Sequence, residues 1–397
     1  MEVKISKMMS KPDFQDEFLS EILKANGDPN VISFAGGLPN AAAFPVKEMD
    51  EAADKVLKRD GILALQYSGA QGYLPLRKYI AERYKRENIE VDPSEIIVTN
   101  GSQQALDLFS AALIDPGDEI MVENPSYLAA LQTFHLYDPK VLPVPLLENG
   151  IDTDALQKTI EEHDPKFIYM IPNFQNPTGL TYSEEVRVRA AEILKNSSVI
   201  VLEDNPYGEL RFAGTAGHSM GYYLGEQCCM LGTFSKIVSP GMRIGWIVCK
   251  IKPLLEKMLS YKATMDLHTN MFCQTVLYQF LEDHDLDEHL DRTKKMYKQR
   301  AEYMMACIDK YFPKEVTYVR PQGGMFMWLT LPEGIKAVDV QRAAIKKGVA
   351  VCAGDPFFEY ERDVRNLRLN FSGASDEAMD KGMRIVAEVI REKMAQL

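Results

Sequence analysis

Residues 198–207 read SVIVLEDNPY, a short apolar run that ends abruptly in two acids, an amide, a proline and a tyrosine. Five other stretches end the same way: EIIVTN (95–100), EIMVEN (119–124), FIYMIPN (167–173), MLGTFS (230–235) and RIGWIVC (243–249). Short runs rich in Val and Ile that stop at polar or turn residues are the pattern of strands in an α/β domain. Between them, Ser102–Leu113 and Glu184–Lys195 carry apolar residues at helical spacing, as crossovers of a largely parallel sheet require. Ligands of such sheets collect at the carboxyl ends of the strands, so the polar endings are the place to look for chemistry.

Outward from this centre the pattern changes after Met271. Tyr297, Ala301, Met304, Ile308 and Phe312 recur at three- and four-residue spacing and predict a long connecting helix. Beyond it come strand-like GGMFMWLTL (323–331), helical AVDVQRAAIKKG (337–348), strand-like VAVCAG (349–354) and NLRLNFS (366–372), and a final helix from about Asp376. These make a smaller α/β unit that the amino-terminal residues join. The division expected is a large domain over residues 46–285 and a small one built from 1–45 and 286–397.

Bulk properties narrow the function. The chain has 397 residues, with 46% hydrophobic and 26% charged, enough apolar material for a large core. A net charge of −12 disfavours nucleic acid and anionic membrane as partners, so an anionic ligand must meet a local cationic pocket. The six cysteines lack metal-ligand spacing and the density of a stapled secreted scaffold, and the six histidines are scattered, so no metal is expected and a reduced, cytoplasmic setting is. The amino terminus has no apolar signal region, and no run of about 18 apolar residues occurs. GxxxxGK[ST] is also missing, which removes the P-loop reading.

Four polar endings carry possible chemistry. Gly101, Ser102 and Gln103 open a helix after a strand, where free amides and the helix dipole suit a phosphate; an ordinary serine-capped turn would look the same. Asp204 is placed to face a ligand or simply to cap the next helix. Thr233, Ser235, Lys236 and Arg243 gather hydroxyls, an amine and a guanidinium. A lysine there is usually a surface residue, but in a partly desolvated site it loses its proton and condenses with an aldehyde. Asn173–Gly179 makes a turn in which Asn176 offers an amide.

In chain order, GSQQALDL, ENPSY, NPTG, EDNPY, FSK, SPGMRIG and LRLNF resemble the class I/II, fold-type I aminotransferases that use pyridoxal 5′-phosphate, over nearly the whole chain. The segments VISFAGGLPN (31–40) and LQYSGAQGYLPLR (65–77) look most like the branch holding 2-aminoadipate, kynurenine and broad-specificity enzymes. The resemblance implies a mostly parallel seven-stranded sheet sandwiched by helices, with a smaller α/β domain. It implies that Lys236 carries the cofactor and that Asp204 pairs with its pyridine nitrogen. Tyr207 and Asn176 would bond its phenolic oxygen, and Tyr127 would stack on the ring. Ser102, Gln103, Thr233, Ser235, Arg243 and the Gly101 backbone would hold the phosphate, with Tyr67 reaching it from the other subunit of a homodimer. Arg368 would clamp the substrate carboxylate, helped by Asn176 and the backbone of Gly36 and Gly37.

The implied reaction is a ping-pong exchange of an amino group between an L-amino acid and a 2-oxo acid such as 2-oxoglutarate. A C–S β-lyase or a ligand sensor on the same scaffold are the alternatives. One departure bears on the donor. Relatives that prefer acidic side chains tend to carry an arginine before the GGLP turn, whereas this chain has none before Arg59; Ser20 stands near that place, and Lys11 or Lys24 would supply only a point charge. Aromatic or branched-chain donors are therefore expected ahead of 2-aminoadipate.

Overall fold

Alternation along the central strands decides the layers. In Ile96–Asn100, Ile96 and Val98 face one core while Ile97 faces another; Ile168 and Met170 oppose Phe167 and Tyr169 in Phe167–Met170 in the same way. A sheet with two apolar faces must be covered on both. Ser102–Leu113, Leu128–Leu136 and Lys252–Met265 cover one face. Thr153–Glu162, Glu184–Lys195 and Met271–Asp283 lie in the core on the other. The computed structural model describes residues 3–10, 24, 28 and 30–397.

The strands in chain order are β1 (Ile32–Ser33), β2 (Ile96–Asn100), β3 (Glu119–Asn124), β4 (Lys140–Leu147), β5 (Gly150–Ile151), β6 (Phe167–Met170), β7 (Ile200–Asp204), β8 (Cys228–Thr233), β9 (Ile244–Val248), β10 (Thr317–Tyr318), β11 (Phe326–Thr330), β12 (Val349–Ala350), β13 (Cys352–Ala353) and β14 (Asn366–Asn370). The large sheet has the order β2-β9-β8-β7-β6-β3-β4-β5. From β8 to β4 the pairings are parallel, whereas β9 runs against both of its neighbours. Seven strands carry the sheet, and the eighth, β5, is a two-residue return paired with the end of β4.

The long helix is Leu286–Tyr311, with Phe312 as its carboxyl cap. A four-stranded antiparallel sheet, β10-β11-β14-β13, follows it, and the last helix is Asp376–Met394. The run VAVCAG, expected as one strand, divides between two sheets: β12 pairs in parallel with β1, while β13 pairs with β14. The amino-terminal strand thus pairs with a segment near residue 350, through Ile32 with Val349 and Ser33 with Ala350. Among the described residues no helix is long and apolar enough to cross a membrane.

Candidate active site

The carboxyl ends of β6, β7 and β8 open on a cavity of 410 Å³, within the size range of small-molecule sites. Gly36, Gly37, Ser102, Gln103, Tyr127, Asn176, Asp204, Tyr207, Thr233, Ser235, Lys236, Arg243 and Arg368 all line it, so the structure gathers residues spread over more than 300 positions of chain. Tyr67 does not join them. It is 79% exposed and touches His268 edge-on, with ring centroids 5.9 Å apart.

The Gly101–Ser102 turn and Arg243 form one polar corner. Gly101 has φ +75, a left-handed conformation, and a Cβ there would meet Arg243 Nη2 at 2.3 Å. Among the described residues no side chain caps the helix that begins at Ser102, which leaves its first amides open to an anion. Gly245 of β9 packs against the same turn, where a Cβ would lie 2.6 Å from Gly101 C and Ser102 N. Ser235 N donates to Thr233 Oγ1 at 3.0 Å and the two hydroxyls are 2.9 Å apart. Among the described residues Arg243 makes only long bonds to neutral acceptors, 3.3 Å to Pro240 O, 3.4 Å to Ser235 Oγ and 3.4 Å to Asn100 O. A guanidinium so weakly satisfied can take an anion without first breaking an ion pair.

Lys236 brings an amine to the lining and Asp204 a carboxylate. Lys236 Nζ donates to Gly37 O at 2.9 Å. Burial, with the nearby positive charges of Arg368 and Arg243, lowers its pKa to about 8. Asp204 is buried at the end of β7 and accepts from the Tyr169 hydroxyl through Oδ2 at 2.8 Å, while Oδ1 is buried and unpartnered. Burial, partly opposed by the Tyr169 bond, raises its pKa to about 7. Tyr207 and Tyr127 are both kept protonated by burial.

Among the described residues Arg368, on β14, has no carboxylate partner. Its Nη1 donates to Asn176 Oδ1 at 2.8 Å and its Nη2 to Ala35 O at 2.7 Å, while Nε is buried and unpartnered. The guanidinium carbon lies 4.3 Å from the Phe326 ring centre and 4.8 Å from that of Phe357, so two aromatic faces fix its plane. Lys236, Arg243 and Arg368 are the cations of the lining and Asp204 its acid. Leu38, Leu128, Ile171 and Phe326 supply apolar surface.

Several supporting residues escaped the sequence reading. Glu123, next to last in β3 and fully buried, accepts from Ile171 N at 2.9 Å and Gln175 Nε2 at 2.9 Å. Gln175 Oε1 in turn takes Thr178 N at 3.0 Å, which ties down the loop that carries Asn176. An acid closing an apolar run is the signal that drew attention to Asp204, and EIMVEN offered it too. Ser20 and Lys11 lie outside the described residues; Lys24 is exposed.

The family model for class I and II aminotransferases matches residues 30–386, and the chain belongs to that family. It is 40% identical to aromatic-amino-acid aminotransferase 1 of Thermococcus litoralis, over 95% of this chain and 92% of that one. Its structure superposes on an alpha-aminoadipate aminotransferase of Thermus thermophilus complexed with N-(5′-phosphopyridoxyl)-L-leucine, with TM-score 0.91 and 36% identity over 99% of this chain and 98% of that one. It is also similar to the kynurenine aminotransferase of Pyrococcus horikoshii in complex with PMP, with TM-score 0.92 and 36% identity over 98% and 97% of the two chains.

Proposed function

We propose that this aminotransferase binds pyridoxal phosphate in the cavity and moves an amino group from an L-amino acid with an aromatic or branched apolar side chain to a 2-oxo acid such as 2-oxoglutarate. The observation that carries the reading is the meeting, in one cavity, of an amine that is partly neutral near pH 7 with a buried carboxylate that has one oxygen free.

The residues fit the cofactor. The Gly101–Ser102 turn, Gln103, Thr233, Ser235 and Arg243 suit its phosphate. Asp204 Oδ1 suits a ring N–H, Tyr207 and Asn176 its phenolic oxygen, Tyr127 its face, and Lys236 its aldehyde. When bound, pyridoxal phosphate supplies an aldehyde that condenses with amines and a pyridinium ring that withdraws electrons. Arg368 holds the substrate carboxylate as a fork, kept in plane by Phe326 and Phe357 and in register by Asn176 and Ala35. With the carboxylate fixed, Lys236 Nζ takes the proton from the substrate Cα, and its low pKa makes the free base available near neutral pH.

Both arginines of the lining are committed, one to each anion, so no described cation is left for an acidic side chain. Leu38, Leu128 and Phe326 favour an apolar one. We assign residues 46–285 to a large cofactor-binding domain and 1–45 with 286–397 to a small one. The chain acts as a homodimer in which Tyr67 serves the other subunit's phosphate site. Exposed Ile62, Leu65, Met265 and Leu267, apolar residues at large accessibility, support a second copy on that face. Six free cysteines suit a reducing cytoplasm.

The test is the absorbance of the protein with added pyridoxal phosphate, before and after single amino acids without an acceptor. A visible band that is lost on adding leucine, phenylalanine or tyrosine, with stoichiometric release of the 2-oxo acid, supports the reading. A stronger response to 2-aminoadipate overturns the substrate class, and the lack of any visible band overturns the cofactor.

A further inference from the structure

A second residue reaches Asp204 from the neighbouring strand. Tyr169 of β6 stands in register with Leu202 of β7, so its side chain rises on the same face of the sheet as Leu202 and Asp204. The ring is fully buried and edge-on to Phe134, with centroids 5.5 Å apart, and its hydroxyl donates to Asp204 Oδ2 at 2.8 Å. The other carboxylate oxygen, Oδ1, is shut away from water with no partner. Buried polar atoms are rarely left in that state, and an acceptor in this position calls for a donor brought by a ligand.

We propose that Tyr169 is a positioning residue for amino transfer: its hydroxyl holds Asp204 as the anion and turns Oδ1 toward the ring N–H of the cofactor. The inference rests on the cavity being a pyridoxal phosphate site. Its physical basis is competition for one proton. A pyridinium next to a buried carboxylate either keeps its proton or yields it to the oxygen, and a poorly solvated setting favours the uncharged pair. A phenol donating to the far oxygen stabilises the carboxylate charge and so keeps the proton on the ring. Tyr169 suits the task because burial keeps its own hydroxyl protonated and therefore a donor. Glu203, also buried and next in the chain, pushes Asp204 the other way, which makes the donor from Tyr169 more consequential.

The experiment compares binding of two probes to the full-length apoenzyme: pyridoxamine phosphate, and its 1-deaza analogue with C–H in place of the ring nitrogen. Wild type prefers the nitrogen ring. Tyr169→Phe keeps the aromatic packing and removes only the donor, and it reduces that preference by about tenfold, the usual worth of a hydrogen bond to a charged group. In an Asp204→Asn background the same substitution leaves the ratio unchanged, because the effect passes through Asp204. Tyr169→Leu, which also lacks a donor, moves the ratio in the same direction through different packing. With substrate, kcat falls while the KM for the amino acid holds. An unchanged binding ratio in either folded variant, judged by circular dichroism, overturns the proposal. If wild type fails to bind pyridoxamine phosphate, the cofactor reading itself falls, a result separate from any change in ratio.

Discussion

At Lys236, the low pKa sets a pH profile that can be measured directly. The neutral amine is the form that attacks an aldehyde, and its share grows as pH rises through about 8, against 10.5 for an ordinary lysine. Uptake of pyridoxal phosphate by the apoenzyme, followed by stopped-flow absorbance, is expected to accelerate with pH and level off just above that value. A rate still climbing at about pH 10 would mean that the amine is solvated like a surface lysine. Arg368→Ala is expected to lower kcat/KM about a hundredfold for the amino acid and the 2-oxo acid alike, since both present the same carboxylate; steady-state kinetics on both half-reactions check it. Lys236 and Asp204 were legible in the sequence because each breaks an apolar run with a charge. Tyr169 was not, because a tyrosine inside FIYM reads as one more core residue until its strand is laid beside β7. Phe326 and Phe357 were hidden for a related reason: their contact with Arg368 belongs to the tertiary fold and leaves no local pattern.

Among the elements, the end of β3 and the start of β9 carry the testable consequences. Burial raises the Glu123 pKa from 4.5 to about 7, so between those values the folded protein binds a proton that the unfolded chain has released. Its contribution to stability therefore falls as pH rises through that window, by up to about 1.4 kcal/mol per pH unit. Glu123→Gln removes the titration, and its stability relative to wild type, from urea unfolding at several pH values, is expected to improve steadily from pH about 5 to about 7. A constant difference would show that Glu123 does not titrate there. Gly245→Ala forces a Cβ against the Gly101–Ser102 turn and is expected to weaken pyridoxal phosphate binding about tenfold, the effect of mild overpacking, as fluorescence titration would register. Central strands were readable because both faces of each are apolar. β4 escaped because Pro143 and Pro145 speak against a strand; it is tolerated since β4 has a full-length partner on one side only, β5 covering just its last two residues. VAVCAG gave no hint that it serves two sheets, since a change of partner within six residues leaves the apolar run unbroken.

For the whole molecule, the proposed service of exposed Tyr67 to the other subunit's site makes the assembly the property to measure. Sedimentation is expected to give a dimer. Mixing inactive Lys236→Ala with Tyr67→Ala subunits, and allowing exchange, is expected to raise activity above that of either variant alone, because each hybrid regains one complete site. No gain on mixing would assign Tyr67 to its own subunit or to neither. The family, its parallel sheet and the members of the cavity were legible because their motifs are local. The partnership of the amino-terminal strand with residues near 350 was foreseen only as a broad grouping of the two ends, since nothing in VISFAGG names its partner.

That pairing also governs when the site can come into being during synthesis. Arg368 donates to Ala35 O across 333 positions of sequence, and β1 has no partner strand until Val349 and Ala350 exist. A nascent chain therefore carries Lys236, Asp204 and the Gly101–Ser102 turn well before it has Arg368. A fragment that stops short of β14 contains Lys236 and Asp204 but not Arg368, so the lining of the cavity is complete only once that strand has been made.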